Sequence, residues 1–290
     1  MPTLLFPDVQ NAMIEGPDWP NLGRTLARTH RIYLCGRLVV SLDGQRLEDS
    51  FPGRQGRNAF AYLVVNRGRA VERDALIEAL WADAPPSDPE SALSAILSKL
   101  RRAIAPAALE GRSALTLVLP DKTWVDLDAA SEALHRAEAD AAQDHFAGAW
   151  SPSRVALHIA GRGFLTDFEA PWMEPYRARV AELHLRALEC YGCACLGIGG
   201  AEIAGAERSA RSLIRAAPYR ESGYRMLMET QAEAGNAAEA LRVYNDLRVL
   251  LREELGVTPG ERTQSLYRHI LATCDEPAAA LGPDRGSPSI

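Results

Sequence analysis

Serine, lysine and arginine side chains recur along one short stretch of the chain in a pattern that could bind a nucleic acid. The stretch is SALSAILSKLRRAIAP, residues 91–106. Its apolar residues are spaced three or four apart, which places them on one side of an α-helix: Leu93, Ile96, Leu97, Leu100 and Ile104. The other side carries Ser91, Ser94, Ser98, Lys99, Arg101 and Arg102. Hydroxyls can pair with base edges and cations with phosphates, whereas a solvated helix face is the ordinary alternative.

The elements around this stretch favour the first interpretation. An alternating run, RIYLCGRLVVSLDGQRLE, predicts an antiparallel β-meander with a turn at Asp43-Gly44. Three helices are predicted next, over about 56–66, over about 72–81, and from Asp88 to a point before Pro106. Two extended runs, ALTLVLP and KTWVDLD, flank Pro120-Asp121 and predict a β-hairpin. This order is typical of a winged helix, in which the third helix enters the DNA major groove and the hairpin touches the backbone or minor groove.

The candidate DNA-binding residues follow from that arrangement. Arginines at the starts of the first and second helices could contact phosphates, because free N–H groups at a helix N-terminus also attract anions; these are Arg54, Arg57 and Arg73. On the third helix, Ser91, Ser94, Ala95 and Ser98 are predicted to face bases, and Lys99, Arg101 and Arg102 to form the cationic rim. Lys122, in the predicted wing, completes the set. Serine and alanine discriminate bases weakly, which predicts help from dimerisation, repeated half-sites or a partner.

No pattern in the chain indicates catalysis, a metal or a cofactor. Cys190, Cys193 and Cys195 are close together, but zinc needs a fourth ligand and only His184 is near, so we interpret them as buried core thiols. Phosphate-binding glycine loops, paired metal-ligand histidines and a nucleophile elbow are not found in the sequence. We therefore expect a protein that is not an enzyme, with no catalytic residue, no metal site and no cofactor.

Composition places these features in a two-part globular protein. A chain of 290 residues with 47% hydrophobic residues can bury two ordinary cores. The net charge is −6, yet residues 24–124 hold 15 basic and 11 acidic residues, so the front is mildly basic and the back acidic. The N-terminus lacks a basic residue to open a signal peptide, and no apolar run could span a bilayer, so we predict a cytoplasmic protein with free thiols and no membrane partner.

The second half is predicted to be helical throughout and partly repetitive. Helical periodicity covers about 129–149, 174–197, 201–217, 221–235, 237–255 and 260–273. A 34-residue period, the tetratricopeptide spacing, relates one set of positions to an earlier set. The later set is Tyr224, Leu227, Ala240 and Tyr244, and the earlier one is Cys190, Cys193, Ala206 and Ala210, closed by Pro218. Stacked helix pairs of this kind offer a concave surface to protein partners.

Several of these stretches resemble the Streptomyces antibiotic regulatory protein family. LCGRLVVSLDGQ, FPGRQGRNAFAYLVVNRGRAVERDALIEALW and SALSAILSKLRRAI are similar to its OmpR/PhoB-type winged helix. FLTDFEAPWMEPYRAR, ALRVYNDLRVLLREELGVTPGE and SLYRHIL resemble its tetratricopeptide-like bacterial transcriptional activator domain. The resemblance covers about residues 31–272. It implies an activator that binds direct repeats of double-stranded DNA at promoters and recruits RNA polymerase holoenzyme, and the expected form on DNA is a homodimer.

The prediction is a mainly α fold with a small β component. An extension over 1–28, predicted disordered, precedes an N-terminal winged helix-turn-helix domain over 29–127. An all-α tetratricopeptide-like domain follows over 128–274, and a disordered tail is predicted over 275–290. The predicted function is sequence-specific transcriptional activation. The alternative is a protein-interaction regulator whose winged helix no longer reads DNA specifically, with the helical repeats binding a regulatory protein.

Overall fold

The computed structural model describes residues 30–82 and 84–279, with side chains described as far as Thr273. The predicted extension over 1–28 and most of the predicted tail therefore lie outside the described residues. Within them the fold class is confirmed, because a β-rich N-terminal region is followed by helices only.

A four-stranded sheet opens the fold. Strands β1 (Arg31–Tyr33), β2 (Val39–Leu42) and β3 (Gln45–Arg46) form the predicted antiparallel meander. Gly44 in the β2–β3 turn has φ +75°, a conformation that costs glycine little. The fourth strand, Trp124–Val125, comes from much later in the chain and lies parallel to β1.

Three helices follow the meander, as predicted. They are α1 (Gly53–Val65), α2 (Arg73–Trp81) and α3 (Pro89–Ala103), with strand β4 (Val71–Glu72) between the first two. The start of α3 agrees with its sequence signals, because Asp88 Oδ1 accepts a hydrogen bond of 3.0 Å from the Ser91 N–H and Pro89 occupies the first turn.

The hairpin predicted around Pro120-Asp121 is wrong. The structure pairs β5 (Ala108–Glu110) with β6 (Ala114–Val118), and β6 also pairs with β4. Strand β7 (Trp124–Val125) leaves this sheet and joins β1. The tight β5–β6 turn depends on Gly111, whose φ is +85° and where a Cβ would lie 1.9 Å from the Ala114 carbonyl oxygen. Burial decides between the two pairings, since Val125 pairs with Ile32 in the interior instead of with β6.

Seven α-helices and two short 3-10 helices, Pro171–Met173 and Gly200–Glu202, form the described part of the second half. The α-helices are α4 (Asp126–Ala141), α5 (Phe146–Ala160), α6 (Glu174–Ile198), α7 (Ile203–Ala216), α8 (Glu221–Glu233), α9 (Ala237–Leu255) and α10 (Glu261–Ala279). The single helix predicted over 129–149 is wrong, because the chain turns at Asp144, with φ 56°, and α5 begins after it. Helix α10 runs five residues into the predicted tail, to Ala279.

The repeat positions pack largely as the 34-residue period predicts. Ala206, Ala210 and Ala240 are fully buried, and Tyr224 and Leu227 are nearly so. The prediction of buried thiols holds for Cys190 and Cys195 but is wrong for Cys193, which is exposed. A helical period places a residue on a face, while exposure depends on whether a neighbouring helix covers that part of the face.

Buried apolar residues form two clusters. The N-terminal core extends from Ile32 in β1 to Cys190 in α6, and the C-terminal core from Ala210 in α7 to Ile270 in α10. The N-terminal core continues without a break across residue 127, so the winged helix packs on α4–α6. The predicted domain bounds stay a prediction. No helix among the described residues is long and apolar enough to cross a bilayer.

Candidate DNA interface

Helix α3 has one buried side and one open side. Leu93, Leu97 and Leu100 are fully buried against the N-terminal core. The residues of the opposite side are all exposed, namely Ser91, Ser94, Ala95, Ser98, Lys99, Arg101 and Arg102. The side chains at the centre of this exposed face are short, so an incoming surface could approach the helix backbone closely.

Arg73 lies at the start of α2 and reaches across to α3. Its Nε and Nη2 donate to Glu90 Oε2 at 2.9 and 2.6 Å, and Nη2 also donates to Ser94 Oγ at 2.9 Å. The structure thus brings together two of the predicted site residues, Arg73 and Ser94. The guanidinium already has a carboxylate partner within the chain.

Arg101 also has partners within the chain. Its Nε donates to the Leu109 carbonyl oxygen at 3.0 Å and its Nη2 to that of Gly111 at 2.8 Å. These bonds tie the end of α3 to the β5–β6 hairpin. Arg102 instead stays on its own helix, where its Nε lies 3.4 Å from the Ser98 carbonyl oxygen.

The remaining predicted residues are spread around α3. Arg54 Nη2 donates to the Glu169 carbonyl oxygen at 3.3 Å, so this arginine lies against the segment between α5 and α6. Arg57 is half-buried on α1. Lys122, with φ 61°, is exposed in the loop between β6 and β7, and not at the tip of a hairpin.

Arg112 is an exposed cation that the sequence reasoning did not select. It occupies the β5–β6 turn, beside Gly111. Two short extended runs around Gly111-Arg112-Ser113 were the available signal. Among the cations of α1, α2, α3 and the two loops that flank β6, four have no hydrogen-bond or ion-pair partner in the described residues, namely Arg57, Lys99, Arg112 and Lys122.

A buried carboxylate joins the winged helix to the helical half. Asp126, the first residue of α4, is fully buried. Its Oδ1 accepts from the Leu34 N–H at 2.7 Å, and its Oδ2 accepts from the Cys35 N–H at 3.0 Å and from Arg162 Nη2 at 3.1 Å. Burial raises the pKa of Asp126 to about 6, while these hydrogen bonds and the Arg162 charge oppose the rise.

Main-chain and aromatic contacts reinforce the same junction. The Gly36 N–H donates to the Gly163 carbonyl oxygen at 2.7 Å, and the Leu165 N–H to that of Leu34 at 2.9 Å. Trp172 Nε1 donates to Asn58 Oδ1 of α1 at 2.9 Å. The winged helix is therefore held by directional bonds as well as by apolar packing, which limits the orientations that α3 can adopt relative to α4–α6.

A cavity of about 540 Å³ lies between the end of α5, the segment after it, and α6. Phe164 and Ala181 form part of its apolar wall, and Arg177 and His184 supply polar groups. His184 Nδ1 is a buried nitrogen without a hydrogen-bond partner, and burial lowers the pKa of this histidine. No group of three or more metal-ligating side chains occurs among the described residues.

Known proteins share this architecture. Residues 125–271 match the bacterial transcriptional activator domain family. AfsR, a regulatory protein of Streptomyces coelicolor, is 33% identical over 86% of this chain and 25% of its own length. The transcriptional regulatory protein EmbR of Mycobacterium tuberculosis is 28% identical over 82% of this chain and 62% of its own. The regulatory protein DnrI of Streptomyces peucetius is 27% identical over 90% of this chain and 96% of its own length.

A solved structure gives the same result. Mycobacterium tuberculosis EmbR, in complex with a low-affinity phosphopeptide, superposes with a TM-score of 0.74 at 26% identity, over 84% of this chain and 65% of that one. The chain thus spans a quarter of AfsR and under two thirds of EmbR. The domain that the family comparison matches is the bacterial transcriptional activator domain. The chain belongs to the Streptomyces antibiotic regulatory protein family.

Proposed function

We propose that the protein is a sequence-specific DNA-binding activator of transcription and that α3 enters the major groove. One observation carries the proposal. Helix α3 buries its leucines completely and turns a face of serines, alanine and cations outward. A helix of this width fits the major groove, and short side chains let its backbone approach the base edges.

The interface separates into contacts to bases and contacts to phosphates. Ser91, Ser94, Ala95 and Ser98 face the base edges in this proposal. Lys99 and Arg102 at the end of α3 contact phosphates, together with Arg57 on α1 and Arg112 on the hairpin. Arg112 replaces Lys122 as the main cation of the wing, because it is the residue at the tip of the hairpin. Arg54 and Lys122 are peripheral.

Arg73 and Arg101 have a different role in this proposal. Both guanidinium groups are bonded within the chain, Arg73 to Glu90 and Arg101 to two hairpin carbonyl oxygens. A cation with intramolecular partners gains less from a phosphate, because it gives up those bonds to make the new one. Arg101 therefore holds the hairpin against α3, so that the wing and the recognition helix approach DNA together.

In this proposal the helical half compensates for the weak base discrimination of the serine side chains. Three serines and an alanine discriminate base pairs weakly. Two copies on direct repeats would multiply that modest specificity, and contact between α4–α10 and RNA polymerase would turn binding into activation. The relatives carry the names of regulatory and transcriptional regulatory proteins, which supports regulation of transcription as the biological role.

Three exposed apolar residues favour a second candidate, a regulator that acts through protein contacts alone. Val249, Leu255 and Val257, at the end of α9 and just beyond it, are each about half exposed. Apolar residues grouped near one helix end suit a protein partner. In this alternative the winged helix would bind DNA without sequence preference or not at all.

Selection from genomic DNA separates the two candidates. Purified protein is incubated with fragments of its own genome, the retained fragments are sequenced, and salt is titrated on the best one. An enriched direct repeat, with affinity that falls as salt rises, supports the activator. Retention without an enriched sequence, or no retention, contradicts it and favours the protein-contact alternative.

A variant of one cation tests the role of α3 in the same assay. Lys99→Ala should weaken binding and lower the slope of log affinity against log salt by about one unit. The matched control is Arg136→Ala, which removes an exposed cation of α4 without a partner among the described residues and should leave both quantities unchanged. Equal affinity of the Lys99→Ala variant and the wild type would remove this face from the interface.

A further inference from the structure

Ser94 differs from the other serines of α3 because its hydroxyl oxygen already accepts a hydrogen bond. Arg73 Nη2 donates to Ser94 Oγ at 2.9 Å while the same guanidinium is paired with Glu90. The Ser94 hydroxyl donates to no group among the described residues. Its O–H is therefore available to an external acceptor, whereas one of its lone pairs is occupied.

Other hydroxyls in the helices are bonded in several ways. Ser212 Oγ also accepts from an arginine, Arg215 Nη2 at 3.1 Å, but that arginine lies on the same helix. Ser131 Oγ donates to the Leu127 carbonyl oxygen at 3.0 Å, and Thr230 Oγ1 to that of Met226 at 2.6 Å. Both spend their O–H on their own helix, as serine and threonine in helices commonly do. Ser94 keeps its donor while a charged group on the neighbouring helix holds its oxygen in place.

We infer that Arg73 is a positioning residue that orients Ser94 as a hydrogen-bond donor, and that Ser94 thereby reads one operator position and rejects cytosine there. The inference rests on the proposed function, since it requires α3 in the major groove. It names the base preference of one residue of that interface and gives Arg73 the role of supporting that residue's side chain.

The preference follows from the charge beside the oxygen. In the major groove guanine offers N7 and O6, adenine N7 and thymine O4 as acceptors, whereas cytosine offers its N4 amino donor. A serine by itself can serve either kind of edge because its hydroxyl both donates and accepts. A guanidinium 2.9 Å from Oγ strengthens the O–H as a donor and repels a second positively polarised N–H group.

The surroundings hold Arg73 in this position. Its backbone N–H donates to the Ser113 carbonyl oxygen at 3.2 Å, which fixes the start of α2 against the β5–β6 turn. The side chain is only 21% exposed, although it belongs to a surface ion pair. The Glu90 carboxylate would otherwise present an unpaired negative charge close to DNA phosphates, so the ion pair also neutralises that repulsion.

The test uses the full chain and the best fragment from the genomic selection. Each base pair of the half-site is replaced in turn, and binding is followed by fluorescence anisotropy. With the wild type, one position that carries a purine or thymine should lose about tenfold in affinity when that base becomes cytosine, the size of one good base contact. Ser94→Ala should remove that discrimination, and so should the double variant Arg73→Met/Glu90→Gln, which keeps the net charge.

Coupling and salt dependence separate the proposed role from a phosphate contact. Adding Ser94→Ala to the double variant should cause no further loss at that position, because both changes remove the same interaction. The salt slope of the double variant should equal that of the wild type, whereas Lys99→Ala lowers it by about one unit. Ser94 is exposed and alanine favours the helix, so the Ser94→Ala variant should stay folded. It therefore measures the base preference even if the double variant unfolds.

The outcomes distinguish this inference from the proposed function. If the wild type selects an operator but Ser94→Ala retains every base preference, the inference fails and the activator proposal stands. If the double variant keeps its preference and loses about one unit of salt slope, Arg73 is a phosphate contact and the inference is overturned. If the wild type selects no sequence, the proposed function fails and the inference fails with it.

Discussion

The N-terminal and C-terminal cores differ in the burial of the polar groups that link their elements. In the N-terminal core the Asp126 carboxylate and the Asn58 amide are buried and bond across from one half of the chain to the other. At the C-terminal core the linking carboxylate is instead partly exposed. Glu221 Oε1 accepts from the Gly260 N–H at 2.9 Å, and Glu221 Oε2 accepts from the hydroxyl of the buried Thr263. A buried polar group without its partner is costly, whereas an exposed one is rehydrated.

Because of this difference, we expect the effect of a substitution to spread further from one core than from the other. The winged helix and α4–α6 share one core and one buried polar network, so damage at the junction should reach the exposed face of α3. Helices α7–α10 form their own core, where damage should remain local. We expect variants of the two cores to behave differently even where the residues removed are alike.

The largest expected effect comes from the buried carboxylate. Asp126→Ala leaves two backbone N–H groups and Arg162 without their acceptor, and should lower the free energy of unfolding by about 3–5 kcal/mol. Urea unfolding measures this loss. Asp128→Ala is the matched control, because that carboxylate is half exposed and pairs with Arg67, and its loss should cost less than about 1 kcal/mol. Equal effects would contradict the buried network.

Two fully buried leucines test the separation of the cores directly. Leu97→Ala in α3 and Leu247→Ala in α9 should each cost about 3 kcal/mol, because both remove the same buried group. Hydrogen exchange should differ between them. Leu247→Ala should speed exchange in α8–α10 and leave α3 protected, while Leu97→Ala should speed exchange in α3 and α4. Faster exchange of α3 in the Leu247→Ala variant would mean that the two cores unfold together.

The pH dependence of stability should reveal Asp126 as well. Its pKa is raised to about 6 in the folded protein from 3.8, so the folded state binds the proton more tightly than the unfolded chain. The stabilisation from this proton is fully present below about pH 4 and is lost as pH rises through about 6. Relative to Asp126→Asn, which cannot titrate, the wild type should lose about 2 kcal/mol between pH 4.5 and 7. A constant difference between the two proteins would contradict the shifted pKa.

The smallest expected effect lies at the link between the cores. Arg220 bonds to Glu182 at 3.1 Å and to Glu189 at 2.9 Å on α6, in a partly exposed site. Arg220→Met should cost less than about 1 kcal/mol, and the cost should fall in 1 M salt because screening weakens exposed pairs. Arg248→Met, at an exposed arginine of α9 without a described partner, is the control. A larger, salt-independent loss would show that this link is as critical as the Asp126 junction.

Local signals predicted helix α3 well. Asp88, Pro89 and the leucine spacing predicted the start and the buried side of α3, since capping and periodicity act within a few residues. They did not predict the β5–β6 hairpin, because strand pairing is decided between segments and β5 is only three residues long. The division into α4 and α5 was missed because helical periodicity continued across the turn at Asp144.

The candidate site divides in the same way. The sequence by itself determined which residues face outward on α3 and which family the chain resembles, because spacing and short motifs are contained in the order of residues. Only the tertiary structure decided that Arg73 holds Ser94, that Arg101 holds the hairpin and that Arg112 is at its tip. These arrangements depend on contacts between residues on different elements, and an arginine in a sequence looks the same whether its partner is a phosphate, a carboxylate or a carbonyl oxygen.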